Sequence, residues 1–78
     1  MSSTDHLLDT TGLNCPLPVL KTKKKVKELA VGDVLTVIAT DPASVIDFAH
    51  YCHVSGNILL SSDEENQVFT YKIEVVSR

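Results

Sequence analysis

The chain has 78 residues, a formal net charge of −3, 44% hydrophobic and 22% charged content, and two cysteines. Residues 1–78 suffice for one small domain with a single core, and its active site must lie near the surface, because so short a domain buries only about 60 to 65% of its unfolded area. Two cysteines are too few for a disulfide scaffold, the N-terminus lacks a basic region followed by an apolar run, and no apolar stretch could span a bilayer; a cytoplasmic protein off the membrane is expected.

Positions 5 to 10 form a short, partly apolar segment that ends in the turn signal Thr10-Thr11-Gly12, so the first strand is placed there. Over 16–30 apolar residues recur at Leu17, Leu20, Val26 and Leu29, with Val19 and Ala30 beside them, which is helical periodicity. Lysines fill the gaps: Lys21, Lys23, Lys24, Lys25 and Lys27 are five of the seven basic residues. Gly32 suits a position just past the end of this helix. Val34–Ala39 is β-branched and nearly continuously apolar, as in a covered central strand.

Asp41-Pro42 then supplies an N-cap carboxylate and a proline at the first helical position. The second helix carries an apolar stripe of Val45, Phe48, Ala49 and Cys52, with Ile46 beside it, and Gly56 is its candidate terminator. Residues 57–60 and 67–76 read as two further strands, the second alternating Val68, Thr70, Lys72, Glu74 against Phe69, Tyr71, Ile73, Val75. Residues 61–66 between them are a polar hairpin loop, whose Asp63, Glu64 and Glu65 blunt strand pairing with neighbours. The order is β-α-β-α-β-β: a crossover helix joins two strands, and a terminal hairpin adds an antiparallel pair to a mixed α+β sheet.

Cys15 stands where the first strand hands over to the first helix, in Cys15-Pro16-Leu17-Pro18. A helix start presents unpaired N–H groups and positive dipole, and such placement can bring a cysteine pKa from about 8.5 to between roughly 3.5 and 7.5. Pro16 and Pro18 fit a first turn, where the missing donors cost nothing, although Pro18 disfavours helical geometry at Leu17. A small buried hydrophobe is the bland alternative for Cys15, but the helix start favours a reactive thiol. Lys21 lies about 9 Å along the axis and acts at long range only.

Cys52 falls on the core stripe and is structural. His6, His50 and His53 have no metal-ligand spacing, and a Cys-His nucleophile would need the fold to carry a histidine to Cys15. The lysine run is a solvated face, a docking surface for an acidic protein or a set of RNA phosphate contacts; overall acidity and the absence of interleaved aromatics argue against nucleic acid. Asp41 reads as a cap first and a contact residue second.

Leu8-Asp9-Thr10-Thr11-Gly12-Leu13-Asn14-Cys15-Pro16-Leu17-Pro18, followed by Gly32, Asp41-Pro42, Asp47, Cys52 and Gly56, resembles the TusA/SirA family of small sulfur-carrier proteins across nearly the whole chain. The resemblance implies a two-layer α/β sandwich with two helices on one face of a four-stranded mixed sheet, similar to the C-terminal domain of translation initiation factor three. It further implies that Cys15 takes a sulfane sulfur as a persulfide from a cysteine desulfurase or rhodanese-like donor and passes it to an acceptor protein, without metal or organic cofactor. Gly12, Pro16 and Pro18 would shape the loop, while Lys21, Lys23, Lys24 and Asp41 would help partners dock.

Relatives serve tRNA thiolation, molybdenum cofactor synthesis or sulfur oxidation. Asn57 stands where many relatives have histidine, and the lack of a fused domain points to a free, monomeric carrier. Two other readings compete: a regulatory or RNA-contacting module built on the basic helix, and a thiol redox protein, which the missing Cys-x-x-Cys weakens.

Overall fold

The computed structural model describes residues 5–76, in the order β1 (Asp5–Thr10), α1 (Leu17–Val26), β2 (Val34–Ala39), α2 (Ser44–Ser55), β3 (Ile58–Glu65) and β4 (Val68–Glu74). The strands form one sheet in the order β1-β2-β4-β3; β1 runs parallel to β2, and β4 is antiparallel to both β2 and β3. A parallel pair needs a crossover, which α1 supplies, whereas β3 and β4 need only a turn. The α+β class and the element order are those read from the sequence.

Strand alternation decides which face is covered. Leu35, Val37 and Ala39 of β2 lie opposite Ile73, Tyr71 and Phe69 of β4, and all six are buried. Val26 and Leu29 cover this face from the α1 side, and Phe48, Tyr51 and Cys52 cover it from α2. Phe48 stacks on Tyr71 with ring centroids 4.6 Å apart, an arrangement that contributes about 0.5–1.5 kcal/mol beyond the area it buries. Polar groups taken into this layer are partnered: Ser44 Oγ and Tyr71 Oη lie 2.7 Å apart, and Asn57 donates to Tyr51 Oη at 3.2 Å while accepting the Val76 N–H at 2.7 Å.

Both helices depart from the apolar stripes expected of them. On α1 the buried residues are Pro18, Thr22 and Val26, while Leu17 and Leu20 are exposed. Thr22 can enter the core because its hydroxyl donates to the Pro18 carbonyl at 2.8 Å, so a residue that reads as polar carries no unpaired group inside. The helix also ends at Val26, short of position 30. Beyond it the hydrogen bonds tighten to three-residue steps, Glu28 to Lys25 and Leu29 to Val26, which still delivers Leu29 to the core. Gly32 therefore does not cap the helix; it lies in the turn into β2, where its φ of +99° suits glycine.

On α2 the buried set is Ser44, Phe48, Tyr51 and Cys52, with Val45 and Ala49 exposed. Gly56 closes this helix as expected, in the left-handed conformation with its N–H on the Cys52 carbonyl. Asp41 does not cap α2. The helix starts at Ser44, with Ala43 at the cap position and no side-chain cap, and the Asp41-Pro42 step is a turn preceding it.

The terminal hairpin is tighter than the six-residue loop expected. Residues 61–65 pair with β4, and the chain reverses through Asn66 and Gln67, both at positive φ (53° and 65°). The pairing register shifts between Leu59 and Ser61, a bulge that breaks the side-chain alternation by which the segment would be recognised. Asp63, Glu64 and Glu65 lie on the edge strand β3 and are exposed there.

Candidate functional site

The loops that follow the two parallel strands meet, and Cys15 sits in the first of them. Thr10 donates its hydroxyl to the Ile38 carbonyl at 2.6 Å, the Gly12 N–H donates to Thr40 Oγ1 at 2.8 Å, and the Cys15 N–H donates to Asp41 Oδ2 at 2.5 Å. Within the first loop, Leu13 N–H reaches the Thr10 carbonyl at 3.2 Å and Leu17 N–H reaches the Asn14 carbonyl at 2.8 Å. Gly12 occupies the left-handed position of this turn, φ +81°, which accounts for glycine there. The Cys15–Pro16 peptide is cis.

Asp41 is thus a clamp between loops. One carboxylate oxygen holds the Cys15 N–H and the other the Ala43 N–H at 3.0 Å, and these two backbone donors, Cys15 foremost, hold its pKa below the ordinary carboxylate value. This clamp stands in place of the helix cap expected of Asp41.

Cys15 is exposed, and Pro16 and Pro18 bracket the start of α1 as expected. The expected fall in thiol pKa does not occur. The pKa of Cys15 lies above that of an ordinary cysteine, chiefly because the Asp47 carboxylate accepts a hydrogen bond from the thiol; partial desolvation and the negative charges of Asp47 and Asp41 act in the same sense. The helix start has little to oppose them. Pro16 and Pro18 bring no N–H, and that of Leu17 is spent on Asn14. Asp47, in the first turn of α2, is the residue that reasoning from local sequence overlooks. Its only signal was its place in the family-like pattern, since 32 residues separate it from Cys15.

The predicted docking residues divide between two sides of α1. Lys23 lines a groove of about 300 Å³ between the helices, along with Pro16, Val19, Asp47, His50 and Tyr51. Lys21 and Lys24 instead line a shallower one of about 160 Å³ with Leu8, Lys25 and Glu28. Lys25 also pairs with Glu28 at 3.7 Å, an exposed contact whose stabilisation is at most about 1 kcal/mol. Cys52 is buried on the core side of α2, where burial pushes its thiol pKa up. Of the histidines, His6 contacts Asp33 at 3.2 Å, His53 is exposed, and His50 comes into the groove that reaches Pro16. Among the described residues, no helix is long and apolar enough to cross a membrane.

Residues 6–75 match the family model described as Sulfurtransferase TusA. The chain is 47% identical to the sulfur carrier protein TusA of Allochromatium vinosum over 74 residues, covering 95% of this chain and 97% of that protein. It is 49% identical to the sulfur carrier protein TusA of Pseudomonas entomophila over 69 residues, 88% of this chain and 86% of that one. Among solved structures, the SirA-like protein from Desulfitobacterium hafniense superposes with a TM-score of 0.80 at 26% identity, covering 92% of this chain and 99% of that chain.

Proposed function

The chain belongs to the sulfurtransferase TusA family, and from that premise we propose that it is a sulfur carrier in which Cys15 accepts a sulfane sulfur as a persulfide and relays it to an acceptor protein. The observation that carries this reading is an exposed thiol on a loop fixed at both ends. Relay chemistry needs a sulfur that two different proteins can reach in turn, with a backbone that does not move between visits. The sulfur of Cys15 attacks the terminal sulfur of the donor's persulfide, the donor's S–S bond breaks, and the donor sulfur leaves as a thiol. The acceptor repeats the step on the Cys15 persulfide. No redox partner is consumed, and no cofactor takes part in the steps described.

Partners arrive as folded surfaces. Leu17 and Leu20 of α1 and Val45 and Ile46 of α2 are exposed apolar side chains on the two helices nearest the Cys15 loop, and they offer apolar surface for transient protein contacts. Lys21, Lys23 and Lys24 add positive charge for an acidic rim on a cysteine desulfurase or rhodanese-like donor. The relay would feed tRNA thiolation, molybdenum cofactor synthesis or sulfur oxidation.

The test is intact-mass analysis after incubation with a cysteine desulfurase and cysteine. A gain of one sulfur atom that reductant removes, present in wild type and Cys52→Ser but absent in Cys15→Ser, supports the reading. Equal gain in Cys15→Ser overturns it.

A further inference from the structure

The two layers of the fold carry opposite charge on their outer sides. Residues paired across neighbouring strands share a face, so the register shows what stands on the side of the sheet turned away from the helices. Asp5 and Asp9 of β1, Glu74 of β4, and Asp63 and Glu65 of β3 lie on that side, with Lys72 as the one base opposing them among the described residues. The surface among these charges is apolar: Leu7 is 63% exposed and Ile58 47% exposed. The helix layer is the reverse. Because α1 buries Pro18, Thr22 and Val26 against the sheet, its lysines turn outward, and Lys21, Lys23 and Lys24 are exposed there beside the apolar Leu17 and Leu20. Lys27 is exposed just past the helix end, and the lysines of this segment are offset by Glu28 alone.

We propose that the uncovered sheet face binds the basic α1 face of a second copy of this chain, so that copies stack head to tail at low ionic strength. This goes beyond sulfur transfer and does not depend on it. Complementary potentials choose the pairing: sheet against sheet sets acid on acid and helix against helix sets base on base, and such like-charge contacts are strongly disfavoured. The symmetric two-fold dimers are thereby excluded. Sheet against helix places lysines over carboxylates and brings the exposed leucines of α1 onto Leu7 and Ile58. Because the two faces lie on opposite sides of the molecule, each added copy presents a fresh face of either sign, and the assembly stays open. Stacking also covers the lysines of α1 in every copy but the last.

Sedimentation equilibrium is run under reductant, which keeps Cys15 from forming disulfides. Weight-average mass is read from about 10 µM to about 1 mM chain, at about 10 mM salt, where charges act over about 30 Å, and at about 1 M, where they act over about 3 Å. Two charge-reversed proteins are compared with wild type. One carries Lys21→Glu, Lys23→Glu and Lys24→Glu on the helix side; the other carries Asp5→Lys, Asp63→Lys and Glu65→Lys on the sheet side. All of these residues are exposed, and circular dichroism confirms folding. The first protein is acidic on both sides and the second is basic on both, so neither can stack on itself, whereas each fits the other.

The expected result is a wild-type mass that climbs with concentration at low salt to at least about twice the 8.5 kDa of one chain, and returns to that value at high salt. Each reversed protein should stay at the mass of one chain, and an equimolar mixture of the two should regain the wild-type behaviour. Wild type that remains a single chain throughout overturns the assignment and leaves the acidic face to a basic partner of another kind or to solvent. Association that persists at high salt or in either reversed protein, or a mixture that stays dissociated, overturns it as well.

Discussion

Removing the Ser44–Tyr71 hydrogen bond from either side tests the packing that sets α2, and Asp47 with it, against the sheet. Ser44 is 1% exposed, Tyr71 is 0% exposed, and their oxygens are 2.7 Å apart. Tyr71→Phe deletes one oxygen and keeps the ring stacked on Phe48, so its effect is that of stranding Ser44 Oγ; Ser44→Ala strands the tyrosine hydroxyl in turn. Each single change is expected to cost about 1–3 kcal/mol, the penalty for a buried polar group without its partner. The double variant, which strands neither, should lie within about 1 kcal/mol of wild type. The coupling, the two single losses less the double, is then about 1–6 kcal/mol, and each single variant should melt about 4–8 °C lower per kcal/mol lost in a domain of this size. Urea titrations followed by far-ultraviolet circular dichroism measure all four proteins, since the chain has no tryptophan. Single-variant losses that simply add in the double variant would refute the reasoning.

Burial raises the pKa of Cys52, Tyr51 and Tyr71 above the ordinary thiol and phenol values, and Asp47 raises that of Cys15. The native state therefore binds these protons more tightly than the unfolded chain, so their stabilisation is complete below the unfolded values and lost as pH climbs through the folded ones. Urea midpoints should fall in that alkaline range, and less so for Tyr71→Phe. Gln67 holds φ 65° at the second position of the β3–β4 turn, so Gln67→Gly should raise stability by about 0.5–1 kcal/mol, the left-handed strain relieved less the glycine entropy. That change should appear as a higher melting temperature. Lys23→Glu with Lys24→Glu should leave melting unchanged and slow sulfur loading several-fold at low salt, with the difference shrinking as ionic strength rises.

The backbone order was legible because hydrophobic runs and turn residues announce it. Val34–Ala39 and the alternation of Phe69, Tyr71, Ile73 and Val75 place two strands without ambiguity, and all four alternating residues are buried. Cys15 with its prolines was legible for the same reason, being a local pattern. What hydropathy obscures is a polar group whose partner is remote in sequence. Thr22, Ser44 and Tyr51 lie off the apolar stripes read for the two helices, yet each enters the core with its hydroxyl satisfied by Pro18, Tyr71 or Asn57. Val45 and Leu20 read as core and are left outside in consequence. The thiol's environment was hidden likewise. Only the pairing of β1 with β2 brings the Asp41 loop to Cys15, and only the packing of α1 on α2 brings Asp47, so the expected electropositive pocket is a carboxylate-flanked one.

The most direct measurement of a carrier is a pulse followed by a chase. The protein is loaded by a cysteine desulfurase, freed from the donor, mapped by peptide mass spectrometry, and then mixed with a thiol acceptor protein. The extra sulfur should reside on the peptide containing Cys15 and disappear from it as the acceptor gains the same mass. Sulfur found on Cys52, or sulfur on Cys15 that no thiol acceptor removes, would contradict a relay through this loop.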